Sequence, residues 1–340
     1  MAWLRRYFAY WFTLVVLLVL VAWPGRIMYY KHLTEKEAER IAAITPSHVA
    51  EHAPQRLSKE QLMADVRWLA APERQGRLAG SPEGDATRQY IVQRFQELGL
   101  EPGGTEGYLH PFSTERSGTT ANVIGIIPGN EHKKGKPLRT IVVTAHYDHL
   151  GVRDGKVYHG ADDNASGTAA LLEFARFLMQ YPNRHPIALM ALDHEENGLK
   201  GARALFSTQL LNPKEVAFNI NMDMISRDTQ QSLFAVGSYH NPWLVPLLQR
   251  VQQESAVKLI LAHDRPARKA GYTPDWTFSS DHGPFHAQGI PFLYFGVADH
   301  ADYHQPTDTA DRVDEDFFHA AAEASLSSLL LIDRVLAEKL

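Results

Sequence analysis

The chain has no cysteine. That absence excludes a disulfide framework, a thiolate zinc site and a cysteine nucleophile together. Positive charge is not in excess either: 34 basic against 39 acidic side chains give a net charge of −5. With a pI near 6.4, broad electrostatic binding to nucleic acid is not expected. There is no internal repeat and no low-complexity tract. What remains is an ordinary globular composition, 44% hydrophobic and 21% charged. The 340 residues are enough for two domains or for one α/β enzyme domain. The 17 histidines stand out, and their positions carry the argument.

Charge is also missing locally. Residues 7–25, between Arg6 and Arg26, hold 19 positions without a formal charge. A bilayer core of about 30 Å needs roughly 20 helical residues, so this run is just long enough to span one. Tyr7, Tyr10 and Trp11 flank one end; Trp23, Tyr29 and Tyr30 flank the other, as interfacial aromatics do. The alternative is a cleaved secretory signal, but Ala22 is followed by Trp23 and Pro24 rather than by an A-x-A-like site. Residues 1–30 are therefore expected to be a membrane anchor. Arg5, Arg6 and the terminal amine lie ahead of the span, Arg26 and Lys31 follow it, and the later Lys36 is offset by Glu35, Glu37 and Glu39. This bias favours a cytoplasmic N-terminus and a catalytic body exported to the periplasmic or extracellular side. Secretion after signal cleavage is the alternative.

Residues 31–57 read as a juxtamembrane linker, and 58–340 as one catalytic domain. Ser58 caps a helix reaching about Leu69, and Pro82–Leu98 is a helix closed by Gly99. Strands are expected at 122–127, 140–144, 187–192, 216–222, 233–236 and 291–295. Helices are expected at 165–179, 243–254 and 314–336. This alternation implies an α/β fold with a central mixed, largely parallel sheet flanked by helices.

Five segments carry chemistry. Thr140–His149 runs a buried strand into His146 and Asp148 at its carboxyl end, where open α/β sheets bind ligands. A lone His-x-Asp is commonly structural, yet an imidazole oriented by a carboxylate also suits a metal. Gly160–Gly167 places Asp162, Asp163 and Asn164 ahead of a helix. One aspartate is explained by capping, and the other is left to turn toward a cation. Ile187–Gly198 empties a second buried strand into Asp193, His194, Glu195 and Glu196. A metal site can divide such a glutamate pair between binding and proton transfer. Gly198 stands where H-E-x-x-H would need its second histidine. Asp223 sits between apolar neighbours, and a buried carboxylate needs a cation or strong donor. His304 lies in a turn-rich loop and has no local reason to be special. Together the segments supply nitrogen and oxygen donors suited to zinc. Three carboxylates and two neutral imidazoles carry −3, which two divalent ions would balance to +1.

These stretches resemble the co-catalytic zinc aminopeptidases, the family of aminopeptidase Y and secreted bacterial leucyl aminopeptidases. Its relatives include glutamate carboxypeptidases and glutaminyl cyclases. The matches are A-H-Y-D-H-L-G at 145–151, G-A-D-D-N-A-S-G at 160–167, E-E-x-G-L at 195–199, N-x-D-M at 221–224, S-D-H-x-P-F at 280–285 and Y-H-x-P-x-D-T at 303–309. The segment 77–80 also resembles the family's entry region. The resemblance implies two Zn²⁺ ions bridged by Asp162, with His146 and Asp223 completing one ion's ligands and Glu196 and His304 the other's. Glu195 would be the general base and Asp148 the partner of His146. The paired aspartates would be joined by a cis peptide, which favours Asp162 over Asp163 as the bridge. The implied activity is hydrolysis of the N-terminal peptide bond of a peptide with a free amine, by a water shared between the ions.

Two departures qualify the resemblance. Asp193 and His194 replace the small residues usual before the glutamates, and cysteine is missing where some relatives brace the pocket. Gly271–Asp281, with Tyr272, Trp276 and Phe278, is the candidate pocket wall. A dipeptidase or carboxypeptidase on the same metal core, or a glutaminyl-cyclase-like acyltransferase, are the alternative activities. A receptor-like module would have lost ligands that this chain retains.

Overall fold

The computed structural model describes the backbone of residues 2–114, 120–133 and 135–338, and side chains at position 11 and from 23 onward within those segments. It divides into two units: residues 1–44 with 265–275, and residues 45–264 with 276–340.

The first unit is helix α1 (Ala2–Ile44) and a short segment seated on it. Gly271 permits that seating, because a Cβ there would stand 2.2 Å from the Tyr30 carbonyl oxygen. The Tyr272 amide donates to Thr34 Oγ1 at 2.8 Å, and the Tyr30 and Tyr272 rings pack at 5.7 Å. Glu37, buried, accepts from Arg40 at 2.6 Å and faces Arg265 at 3.7 Å. Among the described residues no helix is long and apolar enough to cross a membrane. The expected span at 7–25 lies almost wholly outside the described side chains.

The second unit opens with helices α2 (Lys59–Leu69) and α3 (Pro82–Leu98). Ser58 and Ser81 accept from Gln61 and Gly84 amides, satisfying donors that a helix start leaves free. Gly99, at φ 80°, closes α3 with bonds to Gln96 and Phe95 carbonyls.

The sheet then assembles from β1 (Glu101–Pro102), β2 (Leu109–Phe112) and β3 (Thr120–Ile127). Two small hairpins follow in the chain, β4 (His132–Lys133) with β5 (Lys136–Pro137) and β7 (Val152–Arg153) with β8 (Lys156–Val157). The other sheet strands are β6 (Thr140–His146), β9 (Ile187–Leu192), β10 (Val216–Met222), β11 (Ser232–Val236), β12 (Lys258–Leu261) and β13 (Phe292–Gly296). Their order is β1-β3-β9-β6-β10-β13-β11-β12, with β2 on β3.

Only the centre is continuously parallel: β9, β6, β10 and β13 run together. β3 joins β9, and β11 joins β13, antiparallel. The sheet is thus mixed, with its parallel character concentrated where both faces are covered, as burial on both faces requires. β9 and β10 are buried at every position. α4 (Gly167–Leu178) packs on β6, β9 and β10, and α8 (His282–Ala287) on β10 and β13; α5 (Lys200–Ser207) packs against α8, and α9 (Glu315–Glu338) against α2 and α6 (Val245–Glu254), which also lies on β12. Ile124, Val142, Met190, Leu192, Leu205 and Phe285 form one apolar cluster of this core. Four parallel strands consequently deliver their carboxyl ends to one edge, the usual ligand edge of such sheets.

Candidate metal centre

β6 ends on His146, which is buried. Its Nδ1 lies 3.2 Å from the Asp148 carbonyl oxygen and 3.6 Å from its carboxylate. With Nδ1–H directed there, Nε2 presents its lone pair the other way. That nitrogen stands 3.2 Å from Asp223 Oδ1, just past β10, and 3.4 Å from Asp163 Oδ1. On the far side of Asp163, its Oδ2 lies 3.0 Å from His304 Nε2. His304 also reaches Glu196 Oε2 at 3.2 Å, and His149 Nδ1 sits 2.7 Å from Glu196 Oε1. Two donor groups result: His146 with Asp163 and Asp223, and His149 with Asp163 and Glu196. Asp163 belongs to both.

Donors about 2.0–2.1 Å from a tetrahedral ion lie roughly 3.4 Å from one another. The nitrogen–carboxylate separations of 3.0–3.4 Å around His146 and His304 match that spacing. The electrostatics agree. Burial, together with Asp223, Asp281 and Glu196, holds the Glu195 carboxyl well above its ordinary range despite nearby His146. Burial also pushes Asp281 up to about 8, with Asp148 and Asp223 adding to it. Burial lowers His304, yet its bonds to Asp163 and Glu196 raise it to about 10. A field that draws protons onto imidazoles is one that divalent cations would neutralise. The donor set fits two such ions.

The supports explain several motif positions. Ser280 Oγ donates to Asp223 Oδ2 at 2.7 Å and accepts from Asn221 Nδ2, whose own carbonyl accepts from Thr144. Asp223 is thereby aimed by side chains of β6 and β10. Asp148 Oδ1 accepts the Glu195 amide at 3.0 Å, so one carboxylate orients both His146 and the turn bearing the glutamates. Fully buried Arg77 donates to the carbonyls of Tyr147, Leu69, His159 and Gly160 at 2.6–2.9 Å.

The expectation for Asp162 is corrected by this geometry. Asp162 Oδ1 accepts from the Ser226 amide and hydroxyl at 2.7 Å, and Oδ2 faces His300 Nε2 at 2.9 Å. Its carboxylate is consumed on the side away from His146. The Asp308 carboxylate accepts the amides of both Asp162 and Asp163, pinning the turn. The cis peptide lies between Asp163 and Asn164, one bond later than expected. Asn164 in turn bonds the Gly167 amide and the Met222 carbonyl, tying the turn to α4 and β10.

The family model for Peptidase family M28 matches residues 122–329. The chain belongs to Peptidase family M28. It is 29% identical over 220 residues to aminopeptidase YwaD of Bacillus subtilis, covering 60% of this chain and 43% of that protein. A probable zinc metalloprotease of Leptosphaeria maculans is 34% identical over 166 residues, covering 48% and 34%. The chain thus matches less than half the length of these relatives. The fold is shared with a zinc aminopeptidase from Bacillus subtilis, at a TM-score of 0.62 and 17% identity, covering 82% and 95%.

Against the M28 pattern, the structure gathers His146, Glu196, Asp223 and His304, with Glu195 and Asp148 beside them, and substitutes Asp163 for Asp162. It adds His149, Asp281, Ser280, Ser226, His300 and Asp308, which sequence reasoning did not assign. Asp308 and Ser280 stood inside matched motifs and were findable; Ser226 and His300 carry no local mark. Asp193 and His194 point inward: burial and Asp148 push Asp193 up to about 7, and the His194 ring packs edge-on to Phe112 at 6.0 Å. The aromatic wall at 271–281 is not continuous. Tyr272 belongs with α1, Trp276 stacks on His263 at 3.8 Å, and Phe278 is exposed.

Proposed function

We propose that this M28 protein is a di-zinc aminopeptidase that removes the first residue of peptides with a free α-amine. The observation carrying the reading is that two donor groups share Asp163 while Glu195, alongside, belongs to neither. His146, Asp163 and Asp223 would hold one Zn²⁺. Asp163, Glu196 and His304 would hold the other, with His149 bracing the second oxygen of Glu196. When bound, the ions supply Lewis acidity to the scissile carbonyl and lower the pKa of water.

The chain's own residues do the rest. Glu195 takes the proton of the attacking water as the C–O bond forms, and returns it to the amine nitrogen as the C–N bond breaks. Its backbone amide is held by Asp148, which fixes the turn that carries it beside the donor groups. The concentration of carboxylates favours a protonated α-amine at the site, which supports exopeptidase over endopeptidase action. Intact donors for both ions disfavour a one-zinc acyltransferase.

We also infer that the uncharged run at 7–25 anchors the chain, with the body on the exported side. Its length, its flanking aromatics and the leading Arg5 and Arg6 support this. Aminoacyl fluorogenic substrates, free and N-blocked, test the activity. The free forms should be cleaved, and Glu195→Gln should retain zinc yet lose about 10²–10⁴-fold in turnover. Cleavage of blocked forms alone would remove the aminopeptidase assignment.

A further inference from the structure

The first unit carries a feature that peptide hydrolysis does not use. Trp23, Arg26, Ile27 and Tyr30 of α1 recur at helical spacing along one face. Opposite them stand Ala267, Gly271 and Tyr272, and together they line a groove of about 420 Å³. Its rim is apolar and aromatic yet exposed: Trp23 at 65%, Ile27 at 46%, Tyr272 at 60%. An exposed aromatic rim on a helix marks an interaction surface.

The charge beside it is mostly positive, with Glu35 and Asp275 at its edges. Arg26, Lys31, Arg268 and Lys269 are exposed beside the groove. The chain has no acidic residue before Glu35, and none between Arg265 and Pro274. The first acid on α1, Glu35, is exposed one turn beyond Tyr30, and Glu37 after it is buried and paired with Arg40 and Arg265. Arg26 also lies over the Tyr30 ring at 5.7 Å, leaving a cation held against an aromatic face. Cations interleaved with Trp and Tyr are the chemistry of an anionic headgroup layer.

Position decides the occupant. The groove begins at Trp23, where the uncharged run ends. Trp23 to Tyr30 covers about 10 Å of helix, comparable to the roughly 5–8 Å headgroup layer of one leaflet. The segment 265–275 is fixed at that level by the Gly271 approach to Tyr30 and by the Tyr272–Thr34 bond. We propose that α7 (Ala267–Ala270) and Tyr272 form, with Trp23–Lys31, a platform that binds anionic phospholipid headgroups of the bilayer entered by residues 7–25. The proposal rests on the anchor reading and adds to it a second contact, contributed by a segment some 240 residues later in the chain.

Because the chain lacks cysteine, single-cysteine labelling is clean. The full chain is reconstituted with an environment-sensitive fluorophore at Ala267→Cys, or separately at Val15→Cys. Vesicles are phosphatidylcholine alone, or phosphatidylcholine with a third phosphatidylglycerol, each with nitroxide lipids of known depth. The expected result is deep quenching at position 15 in both vesicles, and shallow quenching at 267 that depends on phosphatidylglycerol. Arg268→Glu with Lys269→Glu should cut the latter at least tenfold. Quenching at 15 with none at 267 overturns the platform and leaves the anchor standing. No quenching at 15 overturns the anchor and the platform's placement with it. Quenching at 267 that ignores lipid charge overturns headgroup binding. A lipid-independent spectral shift at 267 that grows with protein concentration assigns the groove to a second copy and overturns it too.

Discussion

Asp162 and Asp163 are neighbours, both acidic and both buried, and they separate by what captures each carboxylate. Asp162 is satisfied by Ser226 and His300, whereas Asp163 is left to the histidines of both donor groups. Asp163→Asn should therefore abolish binding of both ions, while Asp162→Asn should retain stoichiometric zinc with a lower melting temperature; metal analysis after gel filtration reads the difference. Equal zinc loss in both variants would return Asp162 to the metal. Nothing within the Gly160–Gly167 stretch distinguishes the two, since the partners lie at residues 226 and 300 for Asp162 and at 146 and 304 for Asp163. Glu195 and Glu196 were legible in their placement because both follow a strand whose end already pointed to the site. A different kind of residue, His282, is fully buried, stacked on Tyr294 at 4.5 Å, and bonded through Nε2 to the Trp276 carbonyl. Burial depresses it to about 3. The unfolded chain then binds a proton that the folded chain refuses, so His282 contributes stability fully above about pH 6.5 and loses it as pH falls toward 3. The loss is at most on the order of 5 kcal/mol. Denaturant titrations at pH 7.5 and 5 should show a steeper acid loss in the native protein than in His282→Gln.

At the level of elements, the strands at 187–192 and 216–222 and the helix at 82–98 were readable to the residue. Continuous apolar runs, serine caps and a terminal glycine are local signals, and locally determined structure is legible. Strand direction was not. β3 and β11 run against their neighbours, and pairing sense depends on connections rather than on the pattern inside a strand. Tyr272 left the candidate wall at 271–281 for the same reason: glycine allowed its segment to approach α1, a partner more than 200 residues away. Arg77 shows how such distant elements are tied. Its guanidinium serves the end of α2, the loop after β6 and the turn ahead of Asp162 through four carbonyls. It also stands near Asp163 and Asp308, whose charge offsets part of the burial that lowers it to about 10. Arg77→Met keeps much of the volume but strands those carbonyls, so we expect a loss of about 3 kcal/mol in urea denaturation of the metal-free protein. Weaker zinc binding should accompany it, because two of the four carbonyls immediately precede the aspartate turn. A neutral substitution would show that the loops hold themselves.

For the whole molecule, the donors come from three strand ends, the turn ahead of α4 and the loop after β13, spread between residues 146 and 304. In the unfolded chain they are too far apart to act together, so metal binding and folding of the larger unit are linked. A net charge of −5 is modest, but Asp148, Asp163, Glu195, Glu196, Asp223 and Asp281 concentrate acid in one place. Their mutual repulsion opposes folding until cations are bound. Chelation should then destabilise the protein as well as silence it. At free zinc of 100 times the dissociation constant, one site stabilises by about 2.7 kcal/mol. For a unit of this size each kcal/mol shifts the midpoint by roughly 2–4 °C, so calorimetry after chelation should record a fall of at least about 5 °C, reversed by Zn²⁺. His304→Ala should show a smaller chelator effect than the native protein, because it lacks one donor to the second ion while the first keeps His146, Asp163 and Asp223. An unchanged midpoint with full loss of activity would mean that the site is assembled by the fold alone. The buried supports around Asp148, Ser280 and Asp308 would then carry the whole cost of holding the carboxylates together.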